Sequence, residues 1–140
     1  MKIREEIYNK ILKCCPAVPP EIGGIMGQQN EVISFVEFDN GTMERDFAVY
    51  IPNVAKLNSD IEKWNSLGIS FVGMFHSHPN GQETLSTYDI EYIESIYENM
   101  PENITELYFP IIMPRSHMVV YKAILKKQKV YLEKDKIEIV

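Results

Sequence analysis

The amino-acid sequence predicts an α+β fold, a central mixed β-sheet packed by three helices. Three observations carry that expectation. Apolar residues recur at helical spacing in three separate stretches. Short β-rich runs bounded by Gly, Pro and Asn lie between and after them. The resulting order (helix, strands, helix, strand, helix, strands) lacks the regular alternation of a doubly wound fold. At 140 residues the chain suits one compact domain, so residues 1–140 are read as a single unit.

Taken in order, Ile3, Ile7, Ile11, Leu12 and Cys15 predict a first helix from Lys2 to Cys15, stopped by Pro16, Pro19 and Pro20. Strands are expected over EIGGIMGQ (21–28), EVISFVEF (31–38) and ERDFAVYI (44–51). Val54, Leu57, Ile61 and Trp64 form the stripe of a second helix that Gly68 closes, which makes Trp64 a core residue. ISFVGMFHSH (69–78) fits a buried strand, and Pro79-Asn80-Gly81 opens a loop. A third helix starts near Ser86 and ends before Pro101. LYFPIIM, HMVVYKAIL, KVYLE and KIEIV complete the sheet.

The composition narrows the function classes. Net charge is −6, and the only cationic cluster, Lys126, Lys127 and Lys129, falls in a predicted hairpin turn, so no nucleic-acid partner is expected. No stretch is long and apolar enough for a membrane span, and the first residues lack the apolar run of a signal peptide. Cys14 and Cys15 are adjacent and make no disulfide framework. A cytoplasmic location follows as the expectation. Oligomeric state is left open.

The chemistry concentrates in His76-Ser77-His78-Pro79 and Ser86-Thr87-Tyr88-Asp89. Residues i and i+2 of a strand project from one face, roughly 6.5–7 Å apart along the backbone, so two imidazoles can converge while Ser77 points away. Asp89 falls in the first turn of the third helix, where a carboxylate is favoured. Two imidazoles and one carboxylate suit zinc, and three protein ligands leave a fourth position open, as in catalytic sites. The HxH pair alone fits two half-buried strand residues equally well, and Asp89 alone fits a helix cap. His117 reads as a polar strand residue rather than a fourth ligand. Cys14 and Cys15, at the end of the first helix, are not expected to close the site.

Together these residues read His-x-His, seven residues, Ser, two residues, Asp. That pattern, HSHPNGQETLSTYD, resembles the signature of the JAMM zinc metalloproteases, the MPN-plus branch of the MPN (JAB) domain family. Upstream, Glu21-Ile22-Gly23-Gly24-Ile25-Met26-Gly27 is similar to the family's glutamate in a Gly-rich strand. The likeness spans nearly the whole chain and implies a cytidine-deaminase-like MPN fold of the short prokaryotic type.

The resemblance implies one Zn²⁺ per chain held by His76, His78 and Asp89. Glu21 would act as general base for the attacking metal-bound water, and Ser86 would donate to the oxyanion. From the residues alone Glu83, Glu91 and Glu94 stay open as the base. Ser86 also reads as an N-cap with Asp89 as its capping-box partner, and the two jobs are compatible because a hydroxyl both accepts and donates. The implied substrate is an amide or isopeptide bond at the C-terminal Gly-Gly tail of a ubiquitin-like or sulfur-carrier protein. Such a tail is expected to bind extended, by strand addition at a sheet edge. The alternatives are a non-catalytic MPN scaffold or partner-binding module, and a metal sensor or nuclease-like accessory protein.

Overall fold

The computed structural model describes residues 1–42 and 50–140. Its elements run β1 (Lys2–Ile3), α1 (Glu5–Cys14), β2 (Gly23–Gln29), β3 (Val32–Asp39), α2 (Val54–Ser66), β4 (Ser70–Ser77), α3 (Thr87–Glu98), β5 (Glu106–Met113), β6 (His117–Lys126), β7 (Lys129–Asp135) and β8 (Glu138–Ile139). The eight strands form one curled mixed sheet in the order β7-β6-β5-β4-β2-β3-β1-β8. β4 lies inside it, antiparallel to β2 and parallel to β5. The expected α+β class, a mixed sheet with three helices, is what the described residues show.

Helices cover both faces. Neighbouring strand residues point to opposite sides of a sheet, and Met26 and Phe75 pack with Ile7 and Ile11 of α1. Their neighbours Ile25 and Met74 pack instead with Leu57 and Trp64 of α2 and Ile93 and Tyr97 of α3. α1 therefore holds one face, and α2 and α3 hold the other. Full burial of a side chain such as Ile11, which has no exposed surface, contributes on the order of 1.5–3 kcal/mol.

The helix ends follow local chemistry. Glu5 and Glu6 open α1 and Lys13 closes it, matching the helix dipole. Asn53 caps α2 by accepting from Lys56 N–H at 3.2 Å. Gly68, at φ +73°, turns the chain out of α2 while Ile69 N–H returns to the Trp64 carbonyl at 2.9 Å. The β2–β3 and β6–β7 hairpins turn through Asn30-Glu31 and Lys127-Gln128, each pair at positive φ as a type I′ turn requires.

Several boundaries differ from the expectation. The first helix begins at Glu5, because Lys2 and Ile3 form β1 and pair with β3 and β8. Ile3 is buried either way, so its helical spacing from Ile7 carried no information about the backbone. The strand expected over 44–51 falls largely outside the described residues; Tyr50 and Ile51, which are described, are not in a strand. Cys15 is buried and Cys14 exposed. Trp64 is a core residue, as expected. Among the described residues no helix is long and apolar enough to cross a membrane.

Candidate metal centre

The site is built where β4 ends. Gly23 is in register with His76. One step on, Ser77 N–H donates to the Ile22 carbonyl at 2.8 Å, and the Ser77 hydroxyl accepts from Ile22 N–H at 3.0 Å. Ser77 thus points into the α1 face, fully buried, and stitches the start of β2 to β4. His76 shares its face with Met74, under α2 and α3. The antiparallel register carries Glu21 to a position beside His78. His78 lies just past β4, yet its N–H still donates to the Ile112 carbonyl of β5 at 2.8 Å, so the strand direction persists.

This backbone needs glycine at position 23. A Cβ there would lie 2.5 Å from the Phe75 carbonyl oxygen and 2.5 Å from the Tyr50 ring. The paired glycines serve close backbone approach and not a bulge; the register shift in β2 falls later, near Gly27. Tyr50 is fixed in turn by Asp39, a nearly fully buried carboxylate at the end of β3. It accepts from Tyr50 O–H at 2.7 Å, Asn53 N–H at 2.9 Å and Gly41 N–H at 3.1 Å.

The third wall is the N-terminus of α3. Ser86 Oγ accepts from Asp89 N–H at 3.0 Å, and Asp89 Oδ2 accepts from Ser86 N–H at 2.8 Å, a reciprocal capping box. That box fixes the Asp89 side chain over the strand end. Its Oδ1 lies 3.4 Å from His76 Nε2 and its Oδ2 lies 3.7 Å from His78 Nε2. The two Nε2 atoms are 2.8 Å apart. Ligand atoms of Glu21, His76 and His78 all lie within 4.8 Å of one another. Three ligand atoms therefore cluster, and the Asp89 carboxylate lies beside both histidines, a different oxygen toward each.

Protonation states follow from the partners. His78 Nδ1 lies 2.7 Å from the Gln82 carbonyl, which can only accept, so Nδ1 carries the hydrogen. The Nε2 lone pair then faces the cluster, as a ligating imidazole needs. Burial acts to lower the pKa of His78, but hydrogen bonding to Asp89 and Gln82 outweighs it and the net shift is upward. Burial acts to raise the pKa of Asp89; its bonds to His76, His78 and the Ser86 backbone drive it well below the usual carboxylate range. Glu21 shifts the other way. Burial raises its carboxyl pKa, and the opposing pull of His76 and His78 does not cancel that. Two carboxylates beside one histidine pair are thus pushed apart in acidity, which suits one to stay ionised and the other to exchange a proton.

Of the residues singled out in the sequence, Glu21, His76 and His78 cluster, Asp89 lies beside both histidines, and Ser86 adjoins them through its capping box with Asp89. Three further contributors carried no sequence signal. Gln82 acts through a main-chain carbonyl, which any residue would supply. Tyr50, outside any strand, is held over Gly23 by the Asp39 carboxylate at the end of β3, and Tyr88 lines the cluster from α3. His117 stands apart from the cluster and pairs with Glu83 at 2.6 Å, both exposed. Cys15 is buried in the α1 core, where desolvation and then Cys14 push its thiol up to about 12, so it offers no ligand here.

Comparison with solved structures supplies the fold relationship. A JAB1/MPN domain protein from Archaeoglobus fulgidus matches with a TM-score of 0.56 at 19% identity, over 100% of this chain and 96% of that one. The fold is JAB1/MPN-like. A protein from Desulfitobacterium hafniense superposes with a TM-score of 0.70 at 16% identity, covering 99% and 92% of the two chains. One from Salinibacter ruber gives 0.59 at 14% identity, covering 100% and 92%. No protein-family model and no curated protein matches the chain. Within this JAB1/MPN-like frame, Glu21, His76 and His78 are close enough together to form a metal site.

Proposed function

We propose that this protein is a zinc-dependent peptidase or isopeptidase of the JAMM type, with His76, His78 and Asp89 as metal ligands. One observation carries the reading: two histidine Nε2 atoms 2.8 Å apart share a site with the carboxylates of Glu21 and Asp89. The donor set fits the metal. Two neutral imidazoles and a carboxylate make an N/O set that suits zinc, and three protein ligands are the number found in catalytic zinc sites. Bound zinc would supply Lewis acidity, lowering the pKa of a coordinated water from 15.7 toward about 7 and drawing charge from a carbonyl oxygen.

The remaining work falls to the chain. The Gln82 carbonyl orients the His78 imidazole through Nδ1, and Asp89 stands beside both Nε2 atoms. Glu21, with its raised pKa, takes a proton from water as the oxygen attacks the amide carbon. It returns that proton to the amide nitrogen as the carbon–nitrogen bond breaks. Ser86 Oγ accepts the Asp89 N–H with a lone pair, so its O–H hydrogen can donate to the carbonyl oxygen where charge grows.

The substrate in this reading is the C-terminal Gly-Gly tail of a ubiquitin-like or sulfur-carrier protein. β4 is paired on both sides by β2 and β5 and offers no free edge, so this reading assigns the tail to the adjoining groove past Pro19, Ile51 and Asn80. The test is Glu21→Gln. Hydrolysis of a ubiquitin-like protein fused through Gly-Gly to a reporter should be abolished while about one zinc per chain is retained. Turnover at the unaltered rate would reject Glu21 as the base. Cleavage by neither the parent nor any variant, with zinc bound, would favour a metal-holding scaffold.

A further inference from the structure

Two spaces of different character meet at the cluster. One is an open groove of 530 Å³ that passes His78, Ser86 and Ile51. The other is a small pocket of 40 Å³ between α3 and the sheet, walled by Tyr50, Met74, Leu85, Tyr92, Ile93 and Phe109. Glu21, Tyr88 and Asp89 line both, while His76 faces only the pocket and His78 only the groove. The histidine pair marks the boundary between them. A chain lying in the groove with its reacting bond at the cluster therefore has the pocket immediately beyond that bond.

We infer that the pocket is a specificity site for the residue released from the tail, and that it takes a short uncharged side chain. This rests on the hydrolase reading above and adds the class of leaving group to it. Glycine at the end of the tail has no side chain to occupy a pocket, so the occupant comes from the other side of the bond. Size sets its length. A water-sized position takes roughly 10–15 Å³, so 40 Å³ holds about three or four non-hydrogen atoms. The side chains of Ala, Val and Leu fit that limit, and those of Phe, Lys and Arg exceed it.

Charge sets the rest. The six walls are apolar or aromatic, and the charged groups at the mouth, Glu21 and Asp89, are both carboxylates. An acidic side chain would meet these carboxylates, and among the described residues that line the pocket none is Lys or Arg. Ile93 and Phe109 among its walls are buried. A lysine joined through its side-chain nitrogen brings four methylenes and a protein backbone, more than 40 Å³ holds. A linear C-terminal extension is therefore favoured over an isopeptide.

The test uses the zinc-loaded full chain and peptides ending in Gly-Gly-X, with X as Gly, Ala, Val, Phe or Glu. One methylene in a fitted pocket is worth about 10–200-fold in kcat/KM, so Val should exceed Gly, Phe and Glu by about 10-fold or more. In parallel, the Met74 and Ile93 methyl resonances are followed by NMR as each peptide is added. They should shift with Gly-Gly-Val and stay fixed with Gly-Gly-Phe. Leu85→Ala, which enlarges the pocket at a half-buried position, should narrow the gap between Val and Phe. Cleavage of every peptide at one rate would overturn the pocket and leave the hydrolase standing. Methyl shifts without any cleavage would support the pocket and remove the hydrolase reading. Neither shift nor cleavage would overturn both.

Discussion

Asp89→Asn separates two jobs that one carboxylate performs. In the capping box, an oxygen of Asp89 accepts the Ser86 N–H at 2.8 Å, and asparagine keeps an oxygen at that place. Toward the histidines, Asp89 presents a charge at 3.4 and 3.7 Å, and asparagine removes it. A hydrogen bond to a charged group is worth about 1.5–3 kcal/mol and one to a neutral group about 0.5–1.5. The metal-free variant should therefore lose on the order of 1 kcal/mol, a fall of about 3 °C in melting temperature. Zinc binding should change much more. Closed four-ligand sites gain about 10–16 kcal/mol, so one ligand carries roughly 3–4 kcal/mol and its loss weakens affinity about 10²–10³-fold. Competition against a fluorescent zinc chelator measures the second effect, and a melt of metal-free protein measures the first. An unchanged zinc affinity would refute Asp89 as a ligand and pass the role to Glu21, which clusters with both histidines. An equal affinity loss in Ser86→Ala would assign the effect to the helix cap instead.

Ser86→Ala should cost about 0.5–2 kcal/mol through the lost cap, seen in chemical denaturation, and about 10²–10³-fold in kcat if the hydroxyl also donates to the oxyanion. Metal-free stability should peak in mildly acidic solution. The depressed pKa of Asp89 gives stability that is present above its unfolded value near ~3.9 and lost as pH falls through the folded one. The raised pKa of His78 gives stability that is full below ~6.5 and lost as pH rises through its folded value. Thermal melts from pH 4 to 9 check the peak, and its absence would mean the pair is not coupled. Because a proton competes with zinc at His78, the apparent zinc affinity measured by chelator competition should weaken as pH is lowered through the raised His78 pKa. A thiol reagent should modify Cys14 rapidly in the folded protein and reach Cys15, buried with its thiol pushed up to about 12, only in denaturant; two fast thiols per chain would contradict the burial.

What the sequence determined by itself was whatever depends on local spacing. The apolar periods of Leu57 and Trp64 in α2, and of Ile93 and Tyr97 in α3, appear as buried faces because a helix repeats every 3.6 residues wherever it sits. Ser86 and Asp89 form their capping box because both partners lie within one turn. His76 and His78 turn their Nε2 atoms together because they are two residues apart along one strand direction.

The tertiary structure alone decided everything that needs partners distant in the chain. β1 escaped notice because a two-residue strand has no period of its own and exists only through β3 and β8. Glu21 could not be separated from Glu83, Glu91 or Glu94 until the pairing of β2 with β4 set it beside His78 and burial raised its pKa. The orientation of His78 by the Gln82 carbonyl, and the small pocket walled from four parts of the chain, were equally out of reach. Spacing along a chain fixes which side chains share a face, but only the register between strands fixes which faces meet.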